Sequence, residues 1–129
     1  MDVPRAQLQY PLDAESEGTL KIYLKKLLPE MNRVQSLTIP AGATTFEIRG
    51  SDVMSLTGAA AVTIATISGG YNGQVLKLIF NDANITITDD ATGVSNTVNL
   101  SAAFTSTAND VLQLVSDGTS WREVSRSVN

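Results

Sequence analysis

The chain has no cysteine and no histidine. The first absence removes disulfides and thiolate chemistry. The second removes the usual base near neutral pH and the commonest transition-metal ligand. Aromatic residues are scarce, with three Tyr, three Phe and one Trp in 129 residues. Nine basic residues stand against 13 acidic ones, for a formal net charge of −4. That balance is a poor match for phosphate backbones, which are held by clustered Lys and Arg. No apolar run reaches the roughly eighteen residues of a membrane-spanning helix. The N-terminal stretch MDVPRAQLQYPLD has no charged region followed by an apolar core, so it does not read as a secretory signal.

What is present is enough apolar material for one core: hydrophobic residues make up 43% of the chain and charged residues 17%. One domain is expected at this length. Residues 1–18 carry Pro4, Pro11 and Gly18 and no sustained periodicity, which reads as an extended arm or a disordered tail. Ordering such a segment costs about 1–2 kcal/mol per residue in backbone entropy, so an arm becomes fixed only when docked. In GTLKIYLKKLLPEM, the residues Leu20, Tyr23, Leu24, Leu27, Leu28 and Met31 form a helical stripe that Pro29 should stop at Leu28. The alternation of Leu20, Ile22 and Leu24 also permits a strand; the helix is preferred. Such a basic amphipathic helix can lie on a membrane, but one this short is expected to pack on its own domain or on a neighbouring subunit.

From Ser36 the hydrophobic period changes to two. SLTIPAGATTFEIRG reads as strand, turn and strand, with PAGA as the break. AAVTIATISGG reads as one more strand ending in paired glycines. GQVLKLIFND is apolar on both faces and is expected to sit centrally, buried on two sides. NITITDD and NTVNL are shorter strands separated by the turn DATG. DVLQLVSDGTSWREVS reads as a hairpin about Asp117-Gly118, with Leu112 and Leu114 before the turn and Trp121 and Val124 after it. Trp121 can then reach a partner strand, a contact worth about 0.2–1 kcal/mol. Its indole N–H needs an acceptor, which the polar turn could supply. The functional alternative for Trp121 is a sugar-stacking platform; packing is preferred because sugar sites usually show several aromatics.

Carboxylates are the remaining candidates for chemistry. Asp89 and Asp90 are adjacent, so in a strand they point to opposite faces and cannot converge. Asp82, with Asn81 and Asn84, makes the oxygen-rich turn NDAN, which fits ordinary turn chemistry better than a calcium loop. Ser and Thr are abundant but have no base beside them. Asn84-Ile85-Thr86 is a formal glycosylation sequon of little weight without a secretory signal. The chain therefore reads as non-enzymatic, with no cofactor, no catalytic residue and no metal ligand expected.

The stretch from GGYNGQ to the end resembles the C-terminal β-structured module of many bacteriophage virion proteins: tail fibres, tail spikes and head appendages. The shared elements are the GGxxGQ opening, an ITITD strand, NLSAAFTSTANDVLQLV and the closing DGTSWREVSRSVN. They cover nearly half the chain, and SLTIPAGATTFEIRGSDVMSLTGAAAVTIATISGG fits the front half of the same module. The first 35 residues match nothing comparable. The resemblance implies a virion protein, and similar modules usually assemble as homotrimers. The fold expected is mainly β: a small β-sandwich or barrel-like module over residues 36–129, after an N-terminal arm and one short α-helix over residues 1–35. The function expected is that of a capsid decoration (cement) protein, with itself and the phage major capsid protein as partners and no nucleic acid or membrane. Val3, Leu8, Tyr10 and Leu12 are the expected arm anchors, and Leu24, Leu27, Leu76, Leu78 and Phe80 the expected subunit interface. The alternative is a tail fibre or tailspike tip that binds a host surface glycan, which would call for clustered exposed aromatics. A polysaccharide-degrading spike would need two converging carboxylates about 5–9.5 Å apart, and no stretch presents them.

Overall fold

A computed structural model describes residues 34–129. The expected arm and helix, with Val3, Leu8, Tyr10, Leu12, Leu24 and Leu27, lie outside the described residues. From Val34 onward the chain forms one unit whose strands alternate between inward apolar and outward polar side chains.

The first seven strands wind as a coil. They are β1 (Gln35–Ile39), β2 (Thr45–Glu47), β3 (Val53–Gly58), β4 (Val62–Ile64), β5 (Thr66–Ser68), β6 (Val75–Phe80) and β7 (Ile85–Ile87). β1, β3 and β6 pair in parallel along one face. β2 pairs in parallel with β5 on a second face, and β4 with β7 on a third. Each parallel pair needs a long crossover, and here the strands of the other two faces supply it. Successive turns of roughly twenty residues therefore lie on top of one another, the spacing of a short solenoid.

Stacking in register puts like on like. Leu37, Leu56 and Phe80 form one inward column, and Met54, Leu78 and Leu112 another. On the other faces Val62 lies beside Ile85, Ile64 beside Ile87, and Phe46 beside Ile67. All of these except Leu37, which is half-buried, belong to one continuous buried core. Each full burial of such a side chain contributes about 1.5–3 kcal/mol relative to exposure.

After β7 the chain turns back. β8 (Val98–Asn99) leads to β9 (Phe104–Thr105), which runs antiparallel to β7. β10 (Val111–Ser116) then runs antiparallel to β6, and β11 (Trp121–Ser127) antiparallel to β10 and parallel to β8. This reversed turn closes one end of the coil, and the ring of Phe104 meets that of Phe80 at 5.0 Å between centroids. At the opposite end, β1 and β2 are edge strands among the described residues.

Trp121 ties the reversed turn to the middle of the coil. It is buried, and its Nε1–H donates to the Ile67 carbonyl at 2.9 Å. The packing expectation holds, but the acceptor comes from β5 and not from the DG turn. In register the indole's strand neighbours are Ser116 and Val98. The indole lies so close to Gly70 that a Cβ there would clash with its Cζ2. The neighbouring Gly69 takes φ +88, and a Cβ on it would stand 2.8 Å from the Arg49 nitrogen. The paired glycines thus form the corner where two turns of the coil and the indole meet.

Several expectations change. Mainly β structure holds, but parallel turn-on-turn pairing replaces the expected sandwich or barrel-like arrangement. The strand VMSLTG (β3) was not anticipated, and AAVTIATISGG divides at Ala65 into β4 and β5. β6 is central in its sheet but buried on one face only: Val75 is 42% exposed and Lys77 is exposed. The hairpin at Asp117 forms as expected, held by the Asp117 carboxylate, which accepts the N–H groups of Thr119 and Ser120. Val124 does not join the core. The register shifts between Gln113 and Leu114, which leaves Val124 as the extra residue of a bulge, 55% exposed.

Trp121→Ala removes both the packing and the cross-coil hydrogen bond, and is expected to destabilise the module by about 3–5 kcal/mol. Urea denaturation of the variant beside the parent measures this.

Candidate interaction surfaces

The carboxylates are the side chains that the sequence offered as candidates for chemistry. Asp82 accepts the Gly58 N–H with one oxygen and the Asn84 N–H with the other, both at 3.0 Å. Asn84 in turn donates to the Gly58 carbonyl. NDAN is therefore a clamp between two turns of the coil. Asp89 and Asp90 lie beyond the end of β7 and not in a strand as expected. Asp89 accepts the Leu100 N–H, and Asp90 accepts the N–H and hydroxyl of Thr92. Asp110 is fully buried and accepts from the Thr107 N–H, the Thr107 hydroxyl and the Asn129 N–H. These bonds, that of Asn129 foremost, hold its carboxyl below the usual range. Among the described residues no group of three Asp or Glu side chains is placed to hold a metal ion.

Glu123 is the most perturbed acid. Both its oxygens accept from Arg126, at 2.6 and 2.9 Å, and one also accepts the N–H and hydroxyl of Ser101. The Arg126 guanidinium is the main cause of its low pKa; partial burial opposes it, and Ser101 reinforces it. The result is a carboxyl lowered from an ordinary value near 4.5 to about 2. Arg126 also donates to the Ala102 carbonyl and lies over the Phe104 ring, 5.2 Å from its centroid. The group fastens β11 to the strand that closes the coil.

Leu76, Leu78 and Phe80, expected at a subunit interface, are fully buried inside this chain's own core. They cannot meet a partner, because they are the inward half of β6. The outward half is Val75, Lys77 and Ile79. Tyr71 is half-exposed, and its hydroxyl donates to Asp52 at 3.2 Å. It is the one exposed aromatic ring among the described residues.

Three kinds of surface remain. Among the described residues, the end of the coil formed by β1 and β2 holds a cavity of about 550 Å³ lined by Leu37, Ile39, Phe46, Ile48, Arg49 and Met54. A shallower cavity of about 370 Å³ lies along Leu100, Ser101, Arg122 and Glu123. The outer faces differ in chemistry. On the third face Thr63, Thr86 and Thr105 line up outward, with the last two hydroxyls 3.3 Å apart. On the widest face the outward residues are Val53, Val75, Ile79, Val111 and Val115, interrupted by Lys77, Gln113 and Ser55. Comparison with protein-family models, curated proteins and solved structures finds no match to this chain.

Glu123 has a depressed folded pKa, so its contribution to stability is full above about pH 4.5 and is lost as pH falls toward 2. Asp110 acts with the same sign. Glu123→Gln is expected to cost about 1–2 kcal/mol at neutral pH and to flatten the loss of stability between about pH 4.5 and 2. Denaturant midpoints of parent and variant across that range check both statements.

Proposed function

We propose that the chain is a non-enzymatic structural protein of a phage virion, a homotrimeric capsid decoration protein that binds the shell through its N-terminal segment. One observation carries the non-enzymatic part. Asp82, Asp89, Asp90, Asp110, Asp117 and Glu123 each accept at least one backbone N–H of a turn or strand end. Carboxylates so engaged brace a scaffold. The virion part rests on the resemblance of the segment from GGYNGQ onward. A small braced coil with flat outer faces suits a protein whose work is to sit on a lattice and hold it.

A receptor-binding tip would present clustered aromatic rings. Among the described residues Phe46, Phe80, Phe104 and Trp121 are all buried, and only Tyr71 is exposed. This favours decoration over glycan binding. Val3, Leu8, Tyr10 and Leu12 are the proposed anchors on the shell. Each adds about 25 cal/mol per Å² of apolar area buried, and three copies per trimer bind with avidity.

Two outcomes are expected. Sedimentation gives a species three times the 13.7 kDa chain mass, and a monomer at micromolar concentration overturns the trimer. Deleting residues 1–14 leaves the β-module folded but abolishes attachment to particles stripped of the native protein. Full occupancy by the truncated form overturns attachment through that segment.

A further inference from the structure

We propose that Asn72 is a site of spontaneous covalent modification, at which the side-chain amide is lost by cyclisation onto the Gly73 nitrogen, and that the β10–β11 hairpin sets the rate. The inference is independent of the virion reading.

Asn72 is the one asparagine of the chain that is followed by glycine. Cyclisation brings the backbone nitrogen of the next residue against the side-chain carbonyl carbon, and a side chain on that next residue obstructs the approach. Glycine has none. Asn72 and Gly73 are the central residues of a turn in which the Gln74 N–H donates to the Tyr71 carbonyl at 3.0 Å, and Gly73 takes φ +85. The Asn72 side chain is exposed and makes no hydrogen bond among the described residues. By contrast, the Asn81 amide is held by the hydroxyls of Ser55 and Thr57, and the Asn84 amide by the Gly58 carbonyl.

The reaction needs no partner but water. The Gly73 nitrogen gives up its proton and bonds to the Asn72 Cγ. The Cγ–Nδ2 bond breaks, and Nδ2 takes a proton and leaves as ammonia. Water then adds to the resulting cyclic imide at either carbonyl carbon and opens it to an aspartyl or an isoaspartyl residue. Nothing is oxidised or reduced.

Both atoms that must bond are held by one hairpin. The Gly73 N–H donates to the carbonyl of Ser116, the last residue of β10, at 2.9 Å. The nitrogen keeps its proton and its orientation while that bond stands. The Asn72 Cγ lies against the hairpin loop, where a Cβ on Gly118 would stand 3.3 Å from it. The Asp117 carboxylate shapes that loop by accepting the N–H groups of Thr119 and Ser120. Cyclisation therefore requires the loop to lift, which is a local opening and not global unfolding. An isoaspartyl residue lengthens the backbone by a methylene and so moves the Gly73 N–H off the Ser116 carbonyl. The converted turn lies between Gly70, which meets the Trp121 indole, and the buried Gln74, whose amide donates to the Ser51 carbonyl at 2.7 Å. Modification thus loosens the corner that closes the coil.

The test follows conversion of Asn72 in the full chain by peptide mass spectrometry, at one temperature and pH. Conversion is expected to be at least about tenfold slower in the folded parent than in guanidinium chloride. Asp117→Ala weakens the loop alone and is expected to speed conversion by about three- to tenfold, the weight of one or two lost hydrogen bonds. Asp82→Ala, which weakens the clamp between two turns away from the hairpin, is expected to leave the rate unchanged. Far-UV circular dichroism confirms that both variants are folded. Should Asp117→Ala fail to fold, hydrogen exchange of the Gly73 amide in the parent carries the test, and is expected to occur at an opening frequency that tracks conversion. Asn72 that stays intact even in guanidinium chloride, or another asparagine that converts first there, overturns the site. Equal rates in folded and unfolded parent, or equal acceleration by Asp82→Ala and Asp117→Ala, overturn control by the hairpin.

Discussion

The fold depends on in-register parallel stacking of one turn of chain on the next. No single turn can bury its own inward side chains: β3 alone presents Met54 and Leu56 to nothing. Laid against β1 and β6, the same residues enter columns that are almost wholly dry. The stack also satisfies much of the backbone, since β3, β6, β7, β10 and β11 each pair with a neighbouring strand on both sides. A solenoid so short has two ends close to its middle, and these need closing more than the interior needs filling. At one end the chain does this itself by reversing direction through β9, β10 and β11.

Trp121 shows why the reversal holds. A hairpin laid over the end of a coil gains only the contacts of its own strand neighbours. By reaching past them to the Ile67 carbonyl and against Gly70, the indole connects the closing strands to the second turn. The bulge at Val124 and the Glu123–Arg126 pair then finish the outer strand with a kink and a charge-assisted bond. Both features disfavour addition of further strands at that edge. Among the described residues the coil is closed at one end, while β1 and β2 are edge strands at the other.

The same economy governs the polar residues. A chain rich in Asp, Asn, Ser and Thr would seem to offer material for a site, yet nearly every described carboxylate faces a backbone N–H. Asp82 joins two turns, Asp110 gathers the loop before β10 with Asn129, and Asp117 builds the hairpin loop. Such groups are acceptors with fixed partners.

The sequence by itself determined the local rules. The change of hydrophobic period at Ser36, the PAGA break, the hairpin about Asp117 and the inward leucines of β10 were all legible, because each depends on residues close together in the chain. Packing of Trp121 was legible from its isolation. Tertiary structure alone decided the rest. Parallel pairing leaves no short-range mark, since residues 37, 56 and 80 meet only when whole turns are stacked. For the same reason β3 was overlooked, the glycine corner at Gly69 and Gly70 read merely as a strand end, and QVLKLIF was assigned two buried faces. Alternation shows that one side of a strand differs from the other. Which side becomes the inside depends on the turns above and below it, and that placed Leu76, Leu78 and Phe80 in the core and Val75, Lys77 and Ile79 on the surface.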